Sequence, residues 1–182
     1  MTLARMRALD RWLGVPLCGL CSLACRRAPS AGVAPRRILL IELSEMGSAI
    51  LADPAMRHLQ AHLPESELFF AIFEHNRASL GLLGTVPPER VFGLRGDTLR
   101  HLVRDTARFR RWARRNLIDT VIDLELFSRF TALLAVISGA ANRVGFDAFH
   151  EEGLYRGRLP TRRVIFNPHQ HIAANFLSLA YA

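Results

Sequence analysis

Largely apolar runs recur along the chain at Arg37–Leu43 (Arg-Ile-Leu-Leu-Ile-Glu-Leu), Leu68–Phe73 and Thr120–Leu124. Runs of this length without alternation predict strands buried on both faces. Arg90–Gly93, Arg143–Phe146 and Val164–Phe166 are shorter strand candidates. Helical patterns lie between them. Leu51, Ala55, Leu59 and Leu63 recur every four residues, which predicts a helix in Gly47–His62. Its start has two readings: Asp53-Pro54 is a good N-cap and N1 pair, while Gly47-Ser48 opens the helix earlier and leaves Pro54 as a kink. His75–Leu83 reads as a short helix. Asp97 is expected to cap a long amphipathic helix reaching about Asn116. Phe127, Phe130, Leu134 and Ile137 form the apolar stripe of another, which Gly139 ends. Pro168 onward is helical again. The last helix, with Ile172, Phe176, Leu177, Leu179, Ala180 and Tyr181, stops in mid-stripe, and the expectation from that pattern is a piece of a longer protein.

Strands separated by helices predict a parallel sheet covered on both faces, a Rossmann-like doubly wound α/β domain. In such folds ligands bind beyond the carboxyl ends of the strands. That rule nominates the loops Ser44–Ser48, Glu74–Arg77, Gly93–Asp97, Glu125–Arg129 and Gly145–Asp147.

The first 35 residues differ from the rest. Arg5, Arg7 and Arg11 precede an apolar run from Trp12 to Cys25, and Arg26 and Arg27 follow it. The run is too short for a membrane span, which needs about 20 residues, and the two arginines after it argue against an export signal. Two readings stand open: a helix lying in the interface of an anionic leaflet, or a helix packed on the body of the protein. Cys18, Cys21 and Cys25 have no polar surroundings and no fourth ligand at a zinc-like spacing, so buried thiols are expected and no metal. Ala28–Pro35 reads as a linker, which divides the chain into an appendage over 1–35 and a compact domain over 36–182.

Composition sharpens the picture. The chain has 182 residues, half of them hydrophobic, and a net charge of +8. All 24 basic residues are arginine, which excludes Schiff-base and P-loop lysine chemistry. The charge points to anionic partners. Arg100, Arg104, Arg108, Arg111 and Arg115 align on one face of the long helix. This stripe suits anionic lipid or other phosphate groups, or it is an ordinary solvated face. Phe109 and Trp112 fall on the opposite side, so no nucleic-acid partner is expected. His58 and His62 stand four apart on a helix, but no third ligand is evident. His169 and His171 are expected at a hinge or helix start.

Several stretches, taken in order, carry a resemblance. Arg37–Leu59 reads as a strand, a Ser-Glu-Met-Gly-Ser turn and a helix with Pro-Ala. Asp119–Glu125 leads into the helix of Ser128–Ala140 and then Arg143-Val-Gly-Phe146. Tyr155-Arg-Gly-Arg158 and Asn167-Pro-His-Gln-His171 follow. From about Arg36 to Ala182 this order resembles the amino-terminal half of the ADP-heptose:lipopolysaccharide heptosyltransferases, glycosyltransferase family nine. The resemblance implies the acceptor-side domain of a GT-B enzyme that moves a heptose-like sugar from a nucleotide diphosphate to a lipopolysaccharide-type acceptor. It implies no cofactor, a donor held mainly by a carboxyl-terminal domain beyond this sequence, and a cytoplasmic location at the inner membrane face. The family's turn carries a Gly-Asp pair whose carboxylate serves as general base. Here Ser48 stands at that place, and a serine of ordinary pKa does not take the proton at neutral pH. Glu45 is the nearest substitute, with Glu42 and Asp53 as others. Gly47, Glu125, Arg129, Tyr155 and Arg156 are expected against the acceptor. Asp123 is expected to cap a helix or form a buried ion pair. The other reading is a non-catalytic, membrane-associated binding domain that has lost its base.

Overall fold

A computed structural model describes residues 3–24, 34–126, 128–147 and 156–182, with side chains at 12 and 14–23 in the first stretch. Six strands form one all-parallel sheet: β1 (Arg37–Ile41), β2 (Glu67–Phe73), β3 (Val91–Leu94), β4 (Thr120–Asp123), β5 (Asn142–Phe146) and β6 (Arg162–Val164). Their spatial order is β3-β2-β1-β4-β5-β6, the doubly wound arrangement whose direction reverses between β1 and β4. The helices are α1 (Leu3–Ala24), α2 (Met46–Leu51), α3 (Asp53–His62), α4 (Ala78–Leu83), α5 (Leu99–Arg115), α6 (Arg129–Ser138) and α7 (Ile172–Ala180).

The period of two in β1 explains the two cores. Ile38 and Leu40 face α2, α3, α4 and α7, where Ala55, Met56, Leu59, Leu80, Phe176 and Leu179 are buried. Leu39 and Ile41 face α5 and α6, where Phe109, Ala113, Leu134 and Ala135 are buried. Both faces are dry, so β1 and β2 read as continuous apolar runs.

Both readings of the first crossover helix hold in part. The backbone turns helical at Met46, breaks at Ala52, and restarts as α3 with Ala52, not Asp53, at its N-cap and Asp53 and Pro54 in its first turn. Proline has no N–H to continue the earlier ladder. Thr98, not Asp97, caps α5: its hydroxyl accepts the His101 N–H, while Asp97 pairs with the His101 ring. Gly139 ends α6 in the left-handed region at φ 85°. His171 starts α7, its Nδ1 accepting the Ala173 N–H. Phe127 lies outside the described residues.

α1 packs on α6. Cys18 is buried with Ala132 of α6 and Leu159, and Cys21, Leu133 and Val136 pack against that cluster. The Arg158 N–H donates to Ser22 Oγ at 2.8 Å. The packed-helix reading thus holds for one face of α1, and its other face is open. Cys25 and most of the linker lie outside the described residues. Among the described residues no helix is long and apolar enough to cross a membrane, and no group of histidines, cysteines and acids is placed to hold a metal. The His58 ring lies tilted against His62 and Tyr181, with centroids 3.9 and 4.4 Å away.

Candidate functional site

All five nominated loops follow carboxyl ends of strands, β1 to β5. Those after β1 and β4 meet at the reversal of strand order. There the sequence places Glu42, Ser44, Glu45, Asp123 and Glu125 within a few residues of the strand ends.

The turn after β1 is held from both sides. Glu125 Oε1 accepts the Leu43 N–H at 3.0 Å, the Ser44 N–H at 2.8 Å and the Ser44 hydroxyl at 2.6 Å. Asn76 Nδ2 donates to the carbonyls of Leu43 and Ser44. Glu125 is buried and oriented by these bonds. Its carboxylate therefore fixes the shape of the turn, a contribution that residues 81 and 82 positions apart in sequence do not reveal.

Behind it lies a buried ion pair. Asp123 Oδ2 accepts the Thr131 hydroxyl at 3.0 Å and an Arg156 Nη1 proton at 3.3 Å, and Oδ1 accepts the Glu125 N–H. Arg156 Nη2 also donates to the Glu125 carbonyl. Burial pushes the Asp123 carboxyl up to about 6; Arg156 opposes that shift and Glu125 adds to it. Of the two expectations for Asp123, the ion pair is the one found.

Glu42 is 4% exposed. Burial, with Glu125 next in weight, pushes its carboxyl up to about 9. At neutral pH it is a protonated acid. One of its oxygens lies 3.4 Å from the Glu45 N–H, which donates to it.

Glu45, Met46, Gly47 and Ser48 form the outer lip. Glu45 is exposed and stands at the N-cap of α2. The Ser48 hydroxyl donates to Glu45 Oε2 at 3.4 Å. No atom lies within 4 Å of where a Cβ on Gly47 would sit, so the space above the turn is open. Asp53 is turned away, bonded to Arg57 and Thr85. Arg129 is buried at the start of α6, against Gly14 of α1. Tyr155 lies outside the described residues. The structure thus brings Glu45, Gly47 and Ser48 to one open lip and puts Glu125 and Arg156 beneath it as its support. Sequence reasoning reached Asn76 only as part of the nominated loop Glu74–Arg77, and it passed over Thr131. The only signal for either was a polar residue just after a strand or at a helix start.

An exposed carboxylate with a hydroxyl on one oxygen can accept a proton from a bound alcohol. The neutral acid and the Arg156-paired aspartate below it limit repulsion on that carboxylate.

No protein-family profile matches the chain. No curated protein sequence matches it either. Solved structures do. The E. coli heptosyltransferase WaaC with ADP superposes with a TM-score of 0.64 at 20% identity, covering 79% of this chain and 45% of that one. A glycosyl transferase family 9 protein from Veillonella parvula gives 0.66 at 17% identity, covering 80% and 40%. The E. coli ADP-heptose lipopolysaccharide heptosyltransferase II gives 0.63 at 17% identity, also covering 80% and 40%. At these identities the likeness shows the fold, and the chain spans less than half the length of each.

Proposed function

We propose that this chain is the acceptor-side half of a GT-B glycosyltransferase. It transfers a heptose-like sugar from a nucleotide diphosphate to a lipopolysaccharide-type glycolipid, at the cytoplasmic face of the inner membrane. The observation that carries the reading is the open lip of Glu45, Gly47 and Ser48 at the reversal of strand order, in a fold similar to that of heptosyltransferases.

In this reading an acceptor hydroxyl sits on the lip. Glu45 takes its proton, the acceptor oxygen bonds to the anomeric carbon, and the bond to the diphosphate breaks. The diphosphate leaves with the electron pair and is stabilised by a donor-binding domain on the other side of the cleft. Ser48 orients Glu45 and does not itself act as base. Glu42, kept neutral, and Glu125, tied to the turn, hold the lip in place. Gly47 leaves room for the sugar, Tyr155 and Arg129 complete the acceptor side, and Arg156 supports the lip from beneath through Asp123 and the Glu125 carbonyl. No cofactor is needed.

Transfer is measured with an ADP-heptose donor and a lipopolysaccharide core acceptor. Residues 1–182 alone give no turnover. Joined to a donor-binding half, the chain is active, and Glu45→Gln lowers kcat by at least about a hundredfold, in the range of a lost general base. Unchanged kcat in Glu45→Gln overturns the assignment. Ser48 itself favours a second reading, a binding domain without catalysis, because it stands where the family has a carboxylate. If the joined protein is inactive and Ser48→Asp makes it active, that second reading is the correct one.

A further inference from the structure

From Trp12 to Leu23, α1 has the composition of a buried helix and the exposure of a surface one. That stretch carries no charged residue. Only a narrow face, with Gly14, Cys18 and Cys21, is laid against α6. A Cβ on Gly14 would come within 2.9 Å of Arg129 Cδ, so the helix is seated closely there. The opposite face turns out Trp12 at 80% exposure, Leu20 at 65% and Leu23 at 77%, flanked by Val15 and Leu17. At 100° per residue Trp12, Leu20 and Leu23 fall within one quadrant. A helix apolar all round that buries one side has an unmet partner.

The helix on the other contact of α6 supplies a charge. α6 packs against both α1 and α5. α5 carries seven arginines, at 100, 104, 108, 110, 111, 114 and 115, and all are exposed. Its single acid, Asp105, is turned inward and bonded by Arg95 at 2.7 and 2.8 Å and by Arg108. These bonds hold its carboxyl well below the usual carboxylate range, so it stays ionised but is spent on neighbours inside. Leu99 and Val103 are exposed beside the arginines. The outer surface of α5 is therefore cationic with an apolar margin.

We infer that α1 and α5 together form a docking surface for an anionic lipid bilayer. Trp12, Leu20 and Leu23 enter the interface, and the α5 arginines bind headgroup phosphates. Charge complementarity selects the occupant: a second copy of the chain would bring like-charged α5 surfaces together, and a nucleic acid would leave the apolar row of α1 uncovered. The inference deepens the membrane placement proposed above and rests on it, but not on the transfer chemistry, so vesicle binding and sugar transfer can fail separately.

The test is sedimentation of the full chain with phosphatidylcholine vesicles, with and without phosphatidylglycerol, and no glycan present. Trp12 fluorescence is read in parallel; the only other tryptophan, Trp112, is half-buried against Phe92 and Phe109. Binding is expected with phosphatidylglycerol only, with a blue shift that Trp12→Phe removes. Arg104→Gln, Arg111→Gln and Arg115→Gln together weaken binding on the order of a hundredfold, from about 1 kcal/mol per arginine. Trp12→Ser, Leu20→Ser and Leu23→Ser together weaken it at least about tenfold. All these side chains are exposed, so melting temperatures stay close to the parent. No binding to anionic vesicles overturns the inference, as does binding unaffected by the α1 variant. A dimer that buries Trp12, or RNA binding as tight as vesicle binding with no blue shift, overturns it as well.

Discussion

Glu42 keeps its proton because ionising it would place an unsolvated charge beside Glu125 and Asp123. The sign of the resulting pH dependence follows. In the unfolded chain a glutamate ionises near its ordinary value of 4.5, and in the folded chain near 9. Its contribution to stability is full below about 4.5 and is lost as pH rises to about 9, with a slope approaching 1.4 kcal/mol per pH unit. Asp123, held near 6, adds to that loss only at its acidic end. Glu42→Gln should therefore flatten the fall in the urea midpoint between about pH 6.5 and about pH 8.5. An unchanged slope would show that Glu42 ionises in the folded protein. Arg156 has the opposite role. Removing it as Arg156→Met leaves Asp123 buried without its cation, and a loss of about 3–5 kcal/mol is expected in urea unfolding at pH 8. A loss below about 1 kcal/mol would mean that the pair contributes little.

The sequence marked nearly every strand and helix, because the inner strands are buried on both faces and each crossover helix shows its own period; the edge strand β6, exposed at Arg162 and Arg163, lies at Arg162–Val164 and not at the expected Val164–Phe166. Boundaries moved where two residues could do the same job. Asp97 and Thr98 both suit an N-cap; the backbone bond went to Thr98, and Asp97 took the His101 ring. Thr98→Ala should lower stability by about 1 kcal/mol and Asp97→Ala by less, as thermal melts would show; the reverse order would move the cap back. Gly47–His62 split into two helices because Pro54 cannot donate and Asp53 is tied to Arg57. What local pattern could not show is pairing across the sheet. The clamp of Glu125 on Ser44 and the bond of Arg156 to Asp123 join segments 81 and 33 residues apart. In sequence Glu125 and Arg156 look like free polar residues at a site, and in the fold they are engaged beneath it.

At the scale of the whole molecule, two surfaces stand out. One is the lip at the reversal of strand order, built on rigid strand ends. The other is the cationic and apolar surface of α5 and α1. Parallel topology was legible from alternation alone, and the lip followed from it, whereas the packing of α1 on α6 needed the structure. The central claim is that the lip receives a glycan. The direct measurement is titration of lipid-free lipopolysaccharide core oligosaccharide into isotope-labelled protein, followed by amide chemical shifts. Shifts concentrated at Ser44–Ser48 and around Glu125, and retained in Glu45→Gln, are the predicted result. Shifts confined to α1 and α5, or none at saturating oligosaccharide, would contradict it.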